Sequence, residues 1–357
     1  MVIESGKVWP VILKLLILLN IMKREDLPIY PYIQLEGFGW DEVKDLPGAK
    51  EDELWEFEEL ACTLAEKHFR RACKNLWPFL EKLGFESISI GIDVIGMESG
   101  MAGYYHNFSD DGAGNYGFVL AYDTLEEYLN YDLGNVKELK PVTRYMWEHE
   151  LTHLLDHKNI TSFKFANRST DVREFLVHYL LSYRNEGIAD LYYFLNNGPD
   201  VKDMDTARLE FFDDIRRFSS VEWEDYEIIK KMEWEMMQTY RFYSIGPWMI
   251  LHILSCPEYG HNLQFASEVI LKIHKGETID IETILKIIQS ALQISNEDFI
   301  ECISKPGHDG EAFVAGNELS KLAGRLRNIK HPRVIHEDNE EYTGVNEAII
   351  TFYDRIW

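Results

Sequence analysis

Strand-forming pattern is confined to one short stretch of this chain, and that confinement limits the possible folds more than any other feature. Ser87 to Ile95 (SISIGIDVI) alternates Ile and Val with small or polar residues, as a half-buried strand does. Tyr116 to Tyr122 (YGFVLAY) predicts a second strand, and Gly100, Gly103, Gly112 and Gly114 punctuate a loop between the two. Asp123 then caps a short helix. From Thr143 onward the period is almost wholly helical, over about 143–157, 171–196, 206–217, 221–240, 244–255, 263–274, 279–293 and 295–303. Asn196-Asn197-Gly198-Pro199 stops the second of these helices. Ahead of the strands, Leu54, Phe57, Leu60, Leu64, Phe69 and Leu76 line a helical face with a break or kink near Pro78. Residues 27–50 are rich in Pro and Gly and read as irregular. Residues 305–341 are loop-rich around a helix near 315–327, and a short helix at about 344–355 ends the chain. Helices that follow the strands, rather than alternate with them, argue against a doubly wound sheet and predict an α+β fold with a small mixed sheet. The expected divisions are an extension over 1–26, a sheet-containing domain over 27–200 and a mostly helical domain over 201–357.

Composition narrows the partners. With 357 residues and 46% hydrophobic content the chain can bury a substantial core. A formal net charge of -25 repels nucleic acid and anionic membrane, both of which need Lys and Arg contacts. Cys62, Cys73, Cys256 and Cys302 are scattered and form no CxxC pair. That spacing favours reduced thiols over a disulfide framework and gives no support to cysteine-ligated zinc. Val11 to Met22 is apolar but too short to span a bilayer, and no small-residue cleavage site follows it. The expectation is a dispensable extension, with Met22 as an alternative start, in a cytoplasmic protein without stable membrane insertion. A secreted protein is the alternative, if the apolar stretch acts as a signal.

Chemistry concentrates in Trp147-Glu148-His149-Glu150-Leu151-Thr152-His153-Leu154-Leu155-Asp156-His157, which contains HExxH. On a helix, residues four apart share a face about 6 Å apart along the axis, so His149 and His153 can grip one ion. Glu150 lies one step round the helix, where it can reach a water on the metal without being a ligand. A catalytic zinc needs a third protein ligand and an open position. His157 is disfavoured: it stands about 12 Å from His149 along a straight helix, so one zinc cannot take all three histidines. Asp156 also occupies the place of the glycine in the longer HExxHxxGxxH motif. Glu186 and Glu174 are both open as the third ligand. Glu186 is favoured because Asp190 shares its helix face and can hold a ligand histidine by its second nitrogen.

HELTH followed by Asn185-Glu186-Gly187-Ile188-Ala189-Asp190 resembles the gluzincin metallopeptidases, the group of thermolysin-like and aminopeptidase-N-like enzymes, whose signature is HExxH plus NExxxD. The resemblance covers about 143–195. It implies zinc as cofactor, His149, His153 and Glu186 as ligands, Glu150 as general base and Asp190 as the residue orienting a ligand histidine. It also implies a zincin-like catalytic domain, hydrolysis of peptide bonds and a peptide or protein substrate. Tyr243, in Tyr243-Ser244-Ile245-Gly246, is similar to the Tyr-x-x-Gly tyrosine that donates to the oxyanion in aminopeptidase-N-like enzymes; core packing is its alternative. The spacing from His153 to Glu186 is longer than in thermolysin-like enzymes, and Asn159 to Thr170 reads as an insertion that absorbs it. In the resembling enzymes an edge strand before the zinc helix pairs with peptide, and Tyr116 to Tyr122 is the candidate. Gly100-Met101-Ala102-Gly103 lacks the Glu-Asn with which aminopeptidases read a free amino terminus. His252 reads as a packing histidine and His308 as part of a turn, while His106 could approach the cleft. The competing expectation is a non-catalytic protein that binds peptide or a partner on the same scaffold.

Overall fold

The computed structural model describes residues 32–35, 54–82, 87–93, 102–108, 114–159, 172–197, 242–255, 263–296, 298–299 and 302. Side chains are described for 60–72, 74, 76, 120–121, 123–156, 180–197, 242–243, 245–255, 263–296, 298–299 and 302. The N-terminal extension, the expected boundary at residue 200 and the expected helices over 206–217 and 221–240 lie outside these residues, as do most of the 159–170 insertion and everything beyond 302. The chain divides into two compact units, residues 1–154 and 155–357, and the division falls inside a continuous helix.

The first unit opens with β1 (Tyr32–Leu35), α1 (Leu54–Lys82), β2 (Ser87–Asp93), β3 (Ala102–Phe108), β4 (Gly114–Ala121) and α2 (Tyr122–Asp132). The strands lie in the order β1-β2-β4-β3. β1 and β2 are parallel, as are β2 and β4, and β3 runs antiparallel to β4 from Ala102 opposite Leu120 to Phe108 opposite Gly114. α3 (Pro141–Asn159) follows and crosses the division. Leu60, Leu64, Phe69 and Leu76 of α1 are buried, and Phe69 meets Trp147 of α3 edge to face at 5.3 Å between ring centres. α2 ends at Gly134, whose φ of 72° is the left-handed conformation that glycine adopts without strain. Glu127 of α2 secures the start of α3: its carboxylate accepts from the Lys140 amide at 2.6 Å and from the Thr143 hydroxyl at 3.0 Å. A carboxylate there also complements the positive end of the helix dipole.

The second unit holds α4 (Val172–Ala189), α5 (Leu191–Asn197), α6 (Phe242–Ser255), α7 (Ala266–His274) and α8 (Ile281–Ala291). α4 runs into α5 through Asp190, whose amide donates to the Glu186 carbonyl at 2.9 Å and whose carbonyl accepts from Phe194 at 2.9 Å. α8 starts where its pattern says it should. Asp280 accepts from the Thr283 amide at 2.9 Å and from its hydroxyl at 2.7 Å, and Ile284, Ile287, Ile288 and Ala291 form one buried stripe.

These observations correct the expected α+β fold, a zincin-like domain with a small mixed sheet and an active-site helix followed by a helical C-terminal domain. Among residues whose side chains are described, 80% are helical and 2% lie in strand, with no sheet. Only Leu120 and Ala121 at the end of β4 fall in that strand fraction. The described core is therefore built by helices. Ile/Val alternation does report extended backbone, but the large side chains that fill the described interior, such as Trp147, Tyr128, Tyr183, Phe69 and Phe299, come from helical segments. The strand candidate for peptide pairing is corrected too. β4 lies between β2 and β3, so both its edges are already bonded, and β3 is an edge of this sheet.

Candidate metal centre

α3 carries His149, Glu150 and His153 because its apolar residues anchor the opposite face. Met146, Trp147, Leu151, Leu154 and Leu155 are buried, while the two histidines are half-buried. The imidazoles turn their Nε2 atoms toward each other at 3.0 Å, with the rings nearly perpendicular. Two nitrogens bound to one tetrahedral zinc stand about 3.3 Å apart, so the pair is already close to a chelating separation. Glu186, on α4, could supply a third donor: one ligand atom from each of His149, His153 and Glu186 lies within 4.8 Å of the others. Two imidazoles and a carboxylate suit zinc and leave a fourth position open. The donor set and its spacing fit the ion that the sequence pattern implies.

The remaining expected residues fall as follows. Glu150 is buried, next to His149 on α3. Asp190 is buried one turn beyond Glu186. Glu174 lies on α4 twelve residues before Glu186, about 18 Å away along the axis, and its side chain is outside the described residues, as is that of His157. Tyr243 stands in the first turn of α6 with 37% of its surface exposed. Gly100 and Met101 are outside the described residues, Ala102 and Gly103 open β3, and the side chain of His106 on β3 is not described. His252 packs against Trp248, 4.5 Å between ring centres, as a packing histidine should.

Two glycines explain how the Glu186 and Tyr243 segments are brought side by side. A Cβ on Gly187 would sit 2.5 Å from the carbonyl carbon of Gly246, and one on Gly246 would sit 2.5 Å from the Tyr183 carbonyl oxygen. α4 and α6 thus cross backbone against backbone, immediately after Glu186 and one turn after Tyr243. Pro247 follows in α6 and lacks the amide that would otherwise bond to the Tyr243 carbonyl.

Sequence reasoning passed over three buried polar groups. Glu148 is 5% exposed, and its Oε2 meets no hydrogen-bond donor among the described residues. Burial pushes its carboxyl up to about 7, with Arg71 and Arg144 pulling it back. Arg184 is fully buried and binds Asp156 through both carboxylate oxygens, at 2.6 and 2.9 Å. An arginine inside the apolar run FLVHYLLSYR was the available signal for such a pair, since arginine is rarely buried without a partner.

No family model matches the chain, and no curated protein and no solved structure matches it either. Among the described residues no helix is long and apolar enough to cross a membrane.

Proposed function

We propose that this chain is a zinc-dependent peptidase of the gluzincin kind, with His149, His153 and Glu186 as ligands and Glu150 as general base. One observation carries the reading: the three ligand atoms converge within 4.8 Å, and Glu150 is next to one of them on the same helix. Zinc, when bound, supplies Lewis acidity that polarises a water and the carbonyl oxygen under attack. Glu150 would act as the general base, taking a proton from the water that attacks the carbonyl carbon. The same carboxyl returns the proton to the leaving nitrogen as the C–N bond breaks. Tyr243 donates its hydroxyl hydrogen to the oxygen on which negative charge develops. Asp190 orients a ligand histidine through its second nitrogen. Strand β3, which pairs with no second strand among the described residues, would take an extended peptide substrate along its outer side.

Glu150→Gln tests this directly. It should keep zinc and lower peptide hydrolysis by about 10²- to 10⁴-fold, the usual contribution of a general base. Equal turnover in wild type and Glu150→Gln would contradict the proposal. A zinc-loaded wild type that binds peptides but cleaves none of a broad peptide mixture would favour a non-catalytic binding protein.

A further inference from the structure

The guanidinium of Arg184 uses every donor it has. Nε donates to the Ile294 carbonyl at 3.0 Å, and Nη2 donates to the same oxygen at 2.6 Å and to Asp156 Oδ1 at 2.9 Å. Nη1 donates to Asp156 Oδ2 at 2.6 Å and to Asn185 Oδ1 at 2.9 Å. Five contacts match the five N–H groups of the side chain, in a place where Arg184 is 0% and Asp156 6% exposed. Two parallel N–H···O bonds to one carboxylate fix distance and angle together, which a single contact cannot do.

The position of this fork gives it a purpose beyond stability. Asp156 lies one turn after His153 on the same helix, and Arg184 lies two residues before Glu186 on α4. The fork therefore ties the turn following the second imidazole to the turn carrying the carboxylate ligand. The Ile294 carbonyl, just past the end of α8, holds the other side of the guanidinium. A slip of α4 by one residue along its axis would move Glu186 by about 1.5 Å, enough to spoil coordination at the 2.0–2.2 Å distances typical of zinc. A buried ion pair contributes little net stability compared with an apolar pair of the same shape, and setting register is its better-attested use.

We infer that Arg184 and Asp156 are the positioning pair of the metal centre, holding Glu186 in register with His149 and His153. This rests on the proposed zinc site, and it concerns metal affinity rather than contact with substrate. The full-length chain, stripped with EDTA, is titrated with zinc ions against a chromophoric chelator, and its melting temperature is followed in parallel. Asp156→Asn and Arg184→Lys are compared with Ile273→Ala, which opens a cavity in the buried face of α7. The two fork variants should bind zinc about 10- to 100-fold more weakly, the loss common when groups behind metal ligands are removed. Ile273→Ala should melt lower yet stay within about threefold of wild-type affinity. The double variant Asp156→Leu/Arg184→Met keeps an apolar, packed contact and guards against misfolding; it too should lose zinc affinity while remaining folded. A folded double variant with wild-type affinity would overturn the inference. So would fork variants that lose affinity no more than Ile273→Ala does at an equal fall in melting temperature. In either case a zinc-binding wild type leaves the site itself standing. A wild type that binds no zinc would remove the site and this inference together.

Discussion

The two compact units place charge in their interiors in opposite ways. In residues 1–154 two buried groups, Glu148 and His68, are held toward their neutral forms. Burial pushes Glu148 up to about 7, and burial also lowers the His68 imidazole, which stacks on Tyr128 at 3.9 Å between ring centres. Asp132, 3.4 Å from His68 Nε2, pulls the imidazole back up, while Arg71 and Lys67 push it further down. In residues 155–357 the Arg184–Asp156 pair is buried with both charges matched and every guanidinium donor in use. Buried charge without a full set of partners makes stability depend on protons, whereas a fully paired charge makes it depend on geometry. The first unit should therefore respond to pH, and the second to changes in shape.

The largest effect should come from the second unit. Gly246→Ala forces a methyl against the Tyr183 carbonyl and the backbone of Gly187, so α4 and α6 must separate. A loss of about 3 kcal/mol or more is expected, at the upper end for overpacking because the obstacle is backbone rather than a mobile side chain. Urea denaturation checks it; a loss below about 1 kcal/mol would show that the crossing is looser than this geometry.

Next comes Glu148→Gln in chelator-treated protein. The folded carboxyl sits near 7 against an ordinary 4.5, so between these values the folded chain holds a proton that the unfolded chain has lost. Wild-type stability then falls as pH rises through that window and is level above it. Glu148→Gln should match wild type near pH 4 and exceed it by up to about 3 kcal/mol at pH 8. A constant difference at both pH values would break the contrast between the units.

The smallest effect should come from His68→Gln. The folded imidazole is lowered from an ordinary 6.5, so no effect is expected above that value. As pH falls through 6.5 the unfolded chain takes up a proton that the folded chain resists, and stability drops by at most about 1.4 kcal/mol per pH unit. His68→Gln should remove that acid-side loss. Wild type and variant with the same pH slope from 7 to 5 would contradict it. The Glu148 and His68 effects run in opposite directions, so the wild type should appear flatter than either variant.

Local pattern carried part of this molecule. Period and stop signals marked α3, the α4–α5 segment, α6, α7 and α8, because an amphipathic stripe is written within one element. The motif residues were legible for the same reason: HExxH places two histidines on one helix face by spacing alone. What was missed depends on distant partners. β3 read as loop from Gly103 and its glycine-rich flanks, yet it is extended because Tyr104 pairs with Phe118 and Gly103 with Val119. β1 was lost among prolines and glycines and is held by β2. β4 read as an edge because strand order is not written in any single strand. Arg184 depends on Asp156, 28 residues away, and on Ile294, 110 residues away, so no window on the sequence contains the fork. Gly246 has the same difficulty, since its need for glycine comes from Gly187 on another helix.

Metal content decides whether His149, His153 and Glu186 hold one zinc ion. Elemental analysis should be run on purified wild type beside Glu186→Ala and Glu174→Ala, all expressed with added zinc. About one zinc per chain is expected in wild type and in Glu174→Ala, with most of it lost in Glu186→Ala. No zinc in the wild type, or full zinc in Glu186→Ala, would contradict it.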